Sequence, residues 1–436
     1  MPQQLKVASA QARTLSTTAE TIHALESTTQ RAAVQGIDII LFPEAYLGGY
    51  PRTCSFGAAV GARAPEGREQ FLHYFHDAVD VGDTPAGAGE DWVNKNLELP
   101  RGKKYRGDGV REELERIAKE TGVFIVTGLV ERCAGTLYCA AVFVCPKLGV
   151  LGKRRKLMPT GSERLIWGQG TASTLRAVTT EIKGVKLTMG SAICWENYMP
   201  MLRQSLYSQN VNLWFAPTAD ARDTWESLMR TVGCEGRCFV VSANQCVKKK
   251  HLPKWITGSK QEANAAATNG ASEHDDEQKI PVRSGGRRKS TICKTEDGNE
   301  ICIPVVDEKE NSSQQQDGGD SSAIDSSQST EAVHAKPFTQ SSRASSALNS
   351  NPFAQMQAPS SDGEDFVSRG GSCIISPLGE VLAGPLWEAE DELLVTELDF
   401  EDCERGRLDF DAAGSYSRSD QFKLSVEGLD LAPPPF

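Results

Sequence analysis

Apolar runs of strand length alternate along this chain with segments whose apolar residues recur every three or four positions. Residues 5–10 read as a first strand, and 18–35 as a helix with Ile22, Leu25, Ala32 and Ala33 in helical spacing and Gly36 as its stop. The run IDIILF at 37–42, apolar except for Asp38, suits a strand covered on both faces. A second amphipathic helix is predicted over 109–122, through Val110, Leu114, Ile117 and Ala118, followed by a strand at 123–129. Residues 138–145 and 150–153 read as a hairpin, as do 175–182 and 185–193 around Lys183-Gly184. Helices at 200–208 and 224–236 alternate with strands at 211–216 and 238–243, and late strands are predicted at 372–375, 380–383 and 393–398. The alternation predicts an α/β fold with mixed sheets, while residues 51–100 show no readable period.

This pattern stops between about 260 and 365. The stretch is rich in Ser, Gln, Asn, Asp and Gly and cannot bury enough apolar surface to offset chain entropy, so it is expected to be disordered. Residues 301–306, ICIPVV, are its apolar exception and read as a sticky patch or a docking motif. GGRRKST at 285–291 reads as a solvated charge cluster, a basophilic kinase site or a weak nuclear address. Ten Lys and Arg against eighteen Asp and Glu in 260–365 supply -8 of the formal charge of -11, which leaves the rest of the 436 residues near neutral. Without an extended basic face there is little to attract phosphates, which excludes nucleic acid as a main partner. The twelve cysteines are scattered without CxxC or zinc-ligand spacing, which points to a reduced compartment. The first twelve residues read as a strand rather than a signal peptide, and no apolar run approaches the roughly 20 residues of a spanning helix. A cytosolic protein with no membrane partner is expected, with the nucleus as the weaker alternative.

Three residues combine reactive chemistry with placement at strand ends. Cys194 follows the apolar run 185–193 and precedes Trp195-Glu196-Asn197, so it occupies the turn between a strand and a helix. A thiol there projects from the sheet edge, where backbone N–H groups at the helix start can depress its pKa and bind an oxyanion. Glu44, in FPEAYLGGYP directly after the strand at 37–42, is expected to be partly desolvated, which raises a carboxyl toward the range of a working base. Taken alone, each has a plainer reading. Cys194 is then an inert core cysteine, Glu44 a solvated or capping carboxylate, and Lys156, at the end of GKRRK, part of a solvated basic turn.

The segments around all three resemble the nitrilase superfamily. FPEAYLGGYP at 42–51 is similar to its catalytic-glutamate segment, GKRRKLMPTGSERLIWGQG at 152–170 to its lysine segment, and CWENYMP at 194–200 to its cysteine segment. CEGRCFVVSANQC at 234–246, SRGGSCIISPLGEVLAGPLWE at 368–388 and CERGRLDFDAAGSYSR at 403–418 extend the likeness over nearly everything outside 260–365. The resemblance implies a nitrilase-like four-layer α-β-β-α sandwich spread over 1–259 and 366–422, with 260–365 as a disordered insertion and 423–436 as a tail. It implies Cys194 as nucleophile, Glu44 as general base, Lys156 as stabilising cation and Glu163 as a second carboxylate beside the lysine. Trp195 and Tyr50 are the candidate substrate-binding side chains. A lysine between two carboxylates stays protonated and favours both thiolate and oxyanion. That chemistry requires no metal or cofactor, and the sequence shows no ligand cluster for one.

Trp195-Glu196, LMPTGSERLIWGQG and the AGP of LAGPLWE are similar to the nitrilase branch. The branch implies conversion of a nitrile to carboxylic acid and ammonia through a thioimidate and a thioester on Cys194. The same residues also serve a nitrile or cyanide hydratase or an amidase, and a non-catalytic scaffold protein is a third alternative. Family members pair through their helical faces and often build larger spirals, which implies a homo-oligomer whose small-molecule partner is a nitrile. The chain departs from the branch at Thr231, Gly170-Thr171 and Gly414-Ser415-Tyr416, positions expected near the pocket or the assembly contacts, so the identity of the nitrile stays open.

Overall fold

The computed structural model describes residues 3–87, 89–220, 222–253, 255–256, 290–294, 300–304 and 363–435. The chain divides into a larger unit, residues 1–269 with 356–436, and a smaller one, 270–355. In the larger unit the first sheet contains β1 (Gln4–Gln11), β2 (Ile39–Leu41), β3 (Phe124–Cys133), β4 (Thr136–Cys145) and β5 (Gly149–Arg155). The second contains β6 (Val178–Ile182), β7 (Val185–Ser191), β8 (Leu213–Thr218), β9 (Phe239–Asn244), β10 (Cys246–Lys248), β11 (Phe366–Ile375) and β12 (Val381–Trp387). The last strand, β13 (Glu392–Asp399), returns to the first sheet, whose order is β13-β1-β2-β3-β4-β5. The second sheet runs β10-β11-β9-β8-β7-β6, with β12 also paired to β11. Each sheet has a parallel centre, β1-β2-β3 in one and β7-β8-β9 in the other, flanked by antiparallel strands.

Among the described residues, the helices of two turns or more in this unit are α1 (Thr18–Val34), α2 (Pro65–Asp77), α3 (Val110–Thr121), α4 (Pro200–Tyr207) and α5 (Thr224–Gly236). Side chains alternate between the two faces of a strand, and that alternation sets the layers. Leu5 and Val7 of β1, Ile39 and Leu41 of β2, and Phe124 and Val126 of β3 meet Leu213, Phe215, Phe239 and Val241 of the second sheet. The intervening residues Ala8, Ala10, Ile40 and Ile125 face Leu25 and Ala32 of α1 and Leu114, Ile117 and Ala118 of α3. On the far side, Trp214, Ala216 and Val240 pack under Leu202 and Leu206 of α4 and Trp225, Met229 and Val232 of α5. Helix, sheet, sheet and helix therefore form the four-layer sandwich that the resemblance implied.

The long sequence break leaves the sandwich continuous. Strand β10 pairs with the start of β11, and Lys249 and Lys250 donate backbone hydrogen bonds to Asp365 at 2.8 Å and Gly363 at 3.0 Å. Residues on either side of the break thus lie side by side in one sheet. The disorder expected for 260–365 falls largely outside the described residues. Within the smaller unit, Ser290–Lys294 and Glu300–Pro304 form an antiparallel pair. The ICIPVV exception supplies one of its strands, through residues 301–304.

Two sequence expectations need correction. Residues 51–100 contain α2, which begins with Pro65 at its first turn and meets the core through Phe71, Tyr74 and Phe75. Three aromatic contacts at one end of a polar helix leave too short a repeat to read as a period. The strand expected from residue 175 starts at Val178, because Ala172–Leu175 forms a 3-10 turn.

Phe215 is fully buried between the sheets, with its ring centroid 6.0 Å from that of Phe143. Phe215→Ala is expected to lower unfolding free energy by about 3–5 kcal/mol, the usual cost of removing a core aromatic ring. Urea denaturation of the two proteins measures the difference.

Candidate active site

Glu44 follows β2, Lys156 follows β5 and Cys194 follows β7, so all three leave the carboxyl ends of their strands. That end of an α/β sheet is where diverging loops leave a crevice for chemistry. Glu44 and Lys156 belong to the first sheet and Cys194 to the second. Lys156 donates from Nζ to Glu44 Oε1 and to Glu163 Oε2, each at 2.7 Å. Glu163 is in turn fixed by the backbone N–H of Thr160 at 2.8 Å and by the Tyr50 hydroxyl at 2.9 Å. Lys156 also sits 5.5 Å from the centre of the Trp167 ring, a cation-π contact that adds to its enclosure.

Local backbone geometry sets the positions of Cys194 and Glu44. Cys194 has φ +51°, and Ala45, next to Glu44, has φ +48°, a region that non-glycine residues enter only when their surroundings hold them there. Gln245 donates to the Glu44 carbonyl at 2.8 Å, and Gly128 of β3 lies directly against it. A Cβ on Gly128 would stand 2.2 Å from the Pro43 carbonyl oxygen and 2.8 Å from Glu44 Cα. The Cys194 thiol accepts a hydrogen bond from Thr218 Oγ1 at 3.2 Å. Glu44 Oε1 accepts from Lys156 and, at 3.5 Å, from the thiol of Cys139. Its second oxygen, Oε2, is buried with no hydrogen-bond partner. An open carboxylate oxygen of this kind is equipped to receive a proton.

Burial pushes the Glu44 carboxyl above its ordinary 4.5; the Lys156 charge opposes that rise and the Glu163 charge adds to it. Burial also drives the Cys194 thiol well above its usual range, reinforced by the Glu44 charge and resisted by Lys156. The expected depression of the thiol by helix N–H groups is therefore overturned. Cys194–Tyr198 is a 3-10 turn of five residues, and its few N–H groups do not outweigh burial beside carboxylates. The raised value favours the neutral thiol over the thiolate at Cys194. Burial by itself would lower the Lys156 ammonium, but the negative charges of Glu44 and Glu163 outweigh it and hold its pKa well above the ordinary range.

The solvated reading of GKRRK is also overturned. Arg154, Arg155 and Lys156 are buried, and Lys153 has only 4% of its side chain exposed. Arg154 pairs with Glu196, Arg155 with Glu131, and Lys153 with Glu131 and Asp83. Trp195 lies against Cys194, donates to Asp220 at 2.8 Å and carries Arg222 over its ring at 4.5 Å. Tyr50 also borders the cluster around Cys194, but its hydroxyl is committed to Glu163. Thr218, Cys139, Gln245 and Trp167 complete the site without having been singled out in the sequence; only Gln245 and Trp167 fall inside quoted motifs. Thr231, Thr171 and Ser415 are all exposed, and Thr231 Oγ1 bonds the Ser227 carbonyl of its own helix. Among the described residues, no cluster of three or more His, Cys, Asp and Glu side chains is disposed to hold a metal ion.

Residues 6–272 match the carbon-nitrogen hydrolase family. The chain belongs to that family. The hydrolase is 34% identical to a nitrilase of Bradyrhizobium diazoefficiens, over 91% of this chain and 84% of that one. Identity is 33% with an arylacetonitrilase of Trametes versicolor, over 93% and 91% of the two chains. It is 31% with an aliphatic nitrilase of Sinorhizobium fredii, over 91% and 87%. These relatives put the hydrolase in the nitrilase branch of its family.

Gly128→Ala is expected to force Glu44 away from Lys156 while leaving the sheets folded. A displacement of about 1 Å at a reacting group costs on the order of 100-fold in turnover. Steady-state rates, with circular dichroism as the check on folding, test the effect.

Proposed function

We propose that this hydrolase converts a nitrile to its carboxylic acid and ammonia, with Cys194 as nucleophile, Glu44 as general base and Lys156 as the stabilising cation. The observation that carries the proposal is the convergence of a buried thiol, a carboxylate with one open oxygen and a charged lysine in a chain whose relatives are nitrilases. As the Cys194 sulfur adds to the nitrile carbon, its proton passes to Glu44 and on to the nitrile nitrogen, giving a thioimidate. Water, deprotonated by Glu44, adds to that carbon, both of its protons pass to the nitrogen, and the nitrogen leaves as ammonia while the carbon-oxygen double bond forms. A thioester remains. A second water, again activated by Glu44, releases the acid and returns the proton to sulfur. Lys156 stabilises negative charge developing in both additions, and Glu163, held by Tyr50, keeps Lys156 in place.

The surroundings suit a neutral substrate. Phe56, Tyr74, Trp167 and Ile193 share one buried cluster with Cys194, where an uncompensated charge on the ligand is costly. Trp195 is assigned as a wall of the pocket, whereas Tyr50 acts through Glu163. The ten cysteines whose side chains are described are all unbridged, which supports residence in the reducing cytosol. Among the described residues, no helix is long and apolar enough to cross a membrane. Self-association into a homo-oligomer is proposed on family membership. Catalysis is assigned to residues 1–259 and 366–422, with 260–365 as an inserted segment and 423–436 as a tail.

Wild type and Cys194→Ala are to be compared on a panel of aliphatic, aromatic and arylacetic nitriles and their amides, with acid, amide and ammonia quantified. Acid and ammonia are expected from wild type and nothing above background from Cys194→Ala. Equal rates in the two proteins contradict the role of Cys194. No product from any compound contradicts the activity itself. Since burial raises Glu44 above 4.5, its base form is lost, as pH falls, sooner than that of an exposed carboxylate. The acid limb of kcat/KM is accordingly expected above 4.5. Initial rates between about pH 4 and 8 locate the limb, and a midpoint at or below the ordinary carboxylate value contradicts this assignment of the base.

A further inference from the structure

We infer that Glu196 is a positioning residue that sets the reach between Cys194 and Lys156, an inference that rests on the nitrilase reading above. The nucleophile and the cation come from different sheets, and the apolar contacts between those sheets are not directional. Glu196 supplies direction. It is fully buried, and its Oε2 accepts the backbone N–H of Ile193, the residue before the nucleophile, at 2.9 Å. Its Oε1 accepts the backbone N–H of Leu157, the residue after the lysine, at 2.6 Å, and that of Met158 at 3.4 Å. One carboxylate therefore ties the chain entering Cys194 to the chain leaving Lys156.

Arg154 holds that carboxylate in place. Its Nη2 lies 2.6 Å from Oε1 and 2.5 Å from Oε2, and its Nη1 donates to the Ser191 carbonyl at the end of β7. Being two residues before Lys156 on an extended chain, Arg154 points toward the same face. Asn197 then closes the turn, donating from Nδ2 to the carbonyls of Ala192 at 2.8 Å and Cys194 at 2.7 Å while accepting from Trp214 at 2.9 Å. Cys194 is thus kept at φ +51° from both sides. Glu196 touches no reacting atom in this scheme; it acts through the two residues it spaces.

A buried ion pair of this kind also affects folding, so the readout must separate position from stability. Glu196→Gln preserves shape but places an amide N–H where an N–H or guanidinium must be accepted. Arg154→Lys keeps the charge but loses the two-pronged contact. For a nitrile that wild type hydrolyses, kcat and KM are measured for each variant. Rates are expressed per Cys194 thiol of folded protein, the folded fraction of each variant being measured by circular dichroism and the thiol quantified by iodoacetamide labelling and peptide mass spectrometry. The expected result is a fall of about 100-fold in kcat per reactive thiol, as for a misplaced reacting group, with KM changed by less than about threefold. Wild-type kcat per thiol in a folded variant overturns the inference, because a merely structural residue alters only the folded fraction. Failure of both variants to fold overturns it as well. An inactive wild type overturns the nitrilase reading and this inference together, whereas an active wild type with unimpaired variants overturns the inference alone.

Discussion

An ammonium group removed from water must find anionic partners, and the site is organised around meeting that demand for Lys156. The effective penalty for burying one ion is several kcal/mol, and an unpaired lysine would meet it by losing its proton. Here Glu44 and Glu163 both stand at 2.7 Å, so Lys156 stays charged. The remaining features follow from this arrangement. Burial raises Glu44 and Cys194 together; at Glu44 the Lys156 charge opposes the rise more than the Glu163 charge adds to it, whereas at Cys194 the Glu44 charge adds more than Lys156 takes away. A raised carboxyl accepts a proton more readily, and a raised thiol holds its proton more tightly. In the proposed mechanism, burial together with these charges leaves Cys194 a neutral thiol at rest and makes Glu44 the base that takes its proton.

The strand that carries Lys156 repeats this pairing rule on both faces. Arg154 and Lys156 reach Glu196 and Glu44, while Lys153 and Arg155 reach Glu131 and Asp83. The alternation is that of an extended chain. Four consecutive cations can be enclosed only because carboxylates from four other segments meet them. Removing one partner leaves its mate buried and uncompensated, which costs far more than losing a surface ion pair.

That dependence on distant partners also marks how far the sequence could be read. Strands and helices with a full period, such as α1, α3 and β7, were legible because their burial depends on their own side-chain spacing. The helix Pro65–Asp77 was not, since only Phe71, Tyr74 and Phe75 reach the core. GKRRK looked solvated because nothing within five residues reveals Asp83, Glu131 or Glu196. Glu44, Lys156, Cys194 and Glu163 were picked out through the motifs around them, and the structure brings Lys156 between the two carboxylates with Cys194 alongside. Thr218 and Cys139 lay hidden because a short polar side chain gains meaning only from what folding puts beside it. The direction of the thiol shift was misjudged for a related reason, since burial depends on the whole fold and the N–H groups of one turn do not.

The proposed mechanism converges on a covalent intermediate at Cys194. Acid quenching of the hydrolase during turnover of a nitrile, followed by peptide mass spectrometry, looks for it directly. The account predicts a thioester or thioimidate adduct of the nitrile's carbon skeleton on the peptide containing Cys194, absent from Cys194→Ala. An adduct confined to another cysteine, or sustained acid release by Cys194→Ala, would contradict it.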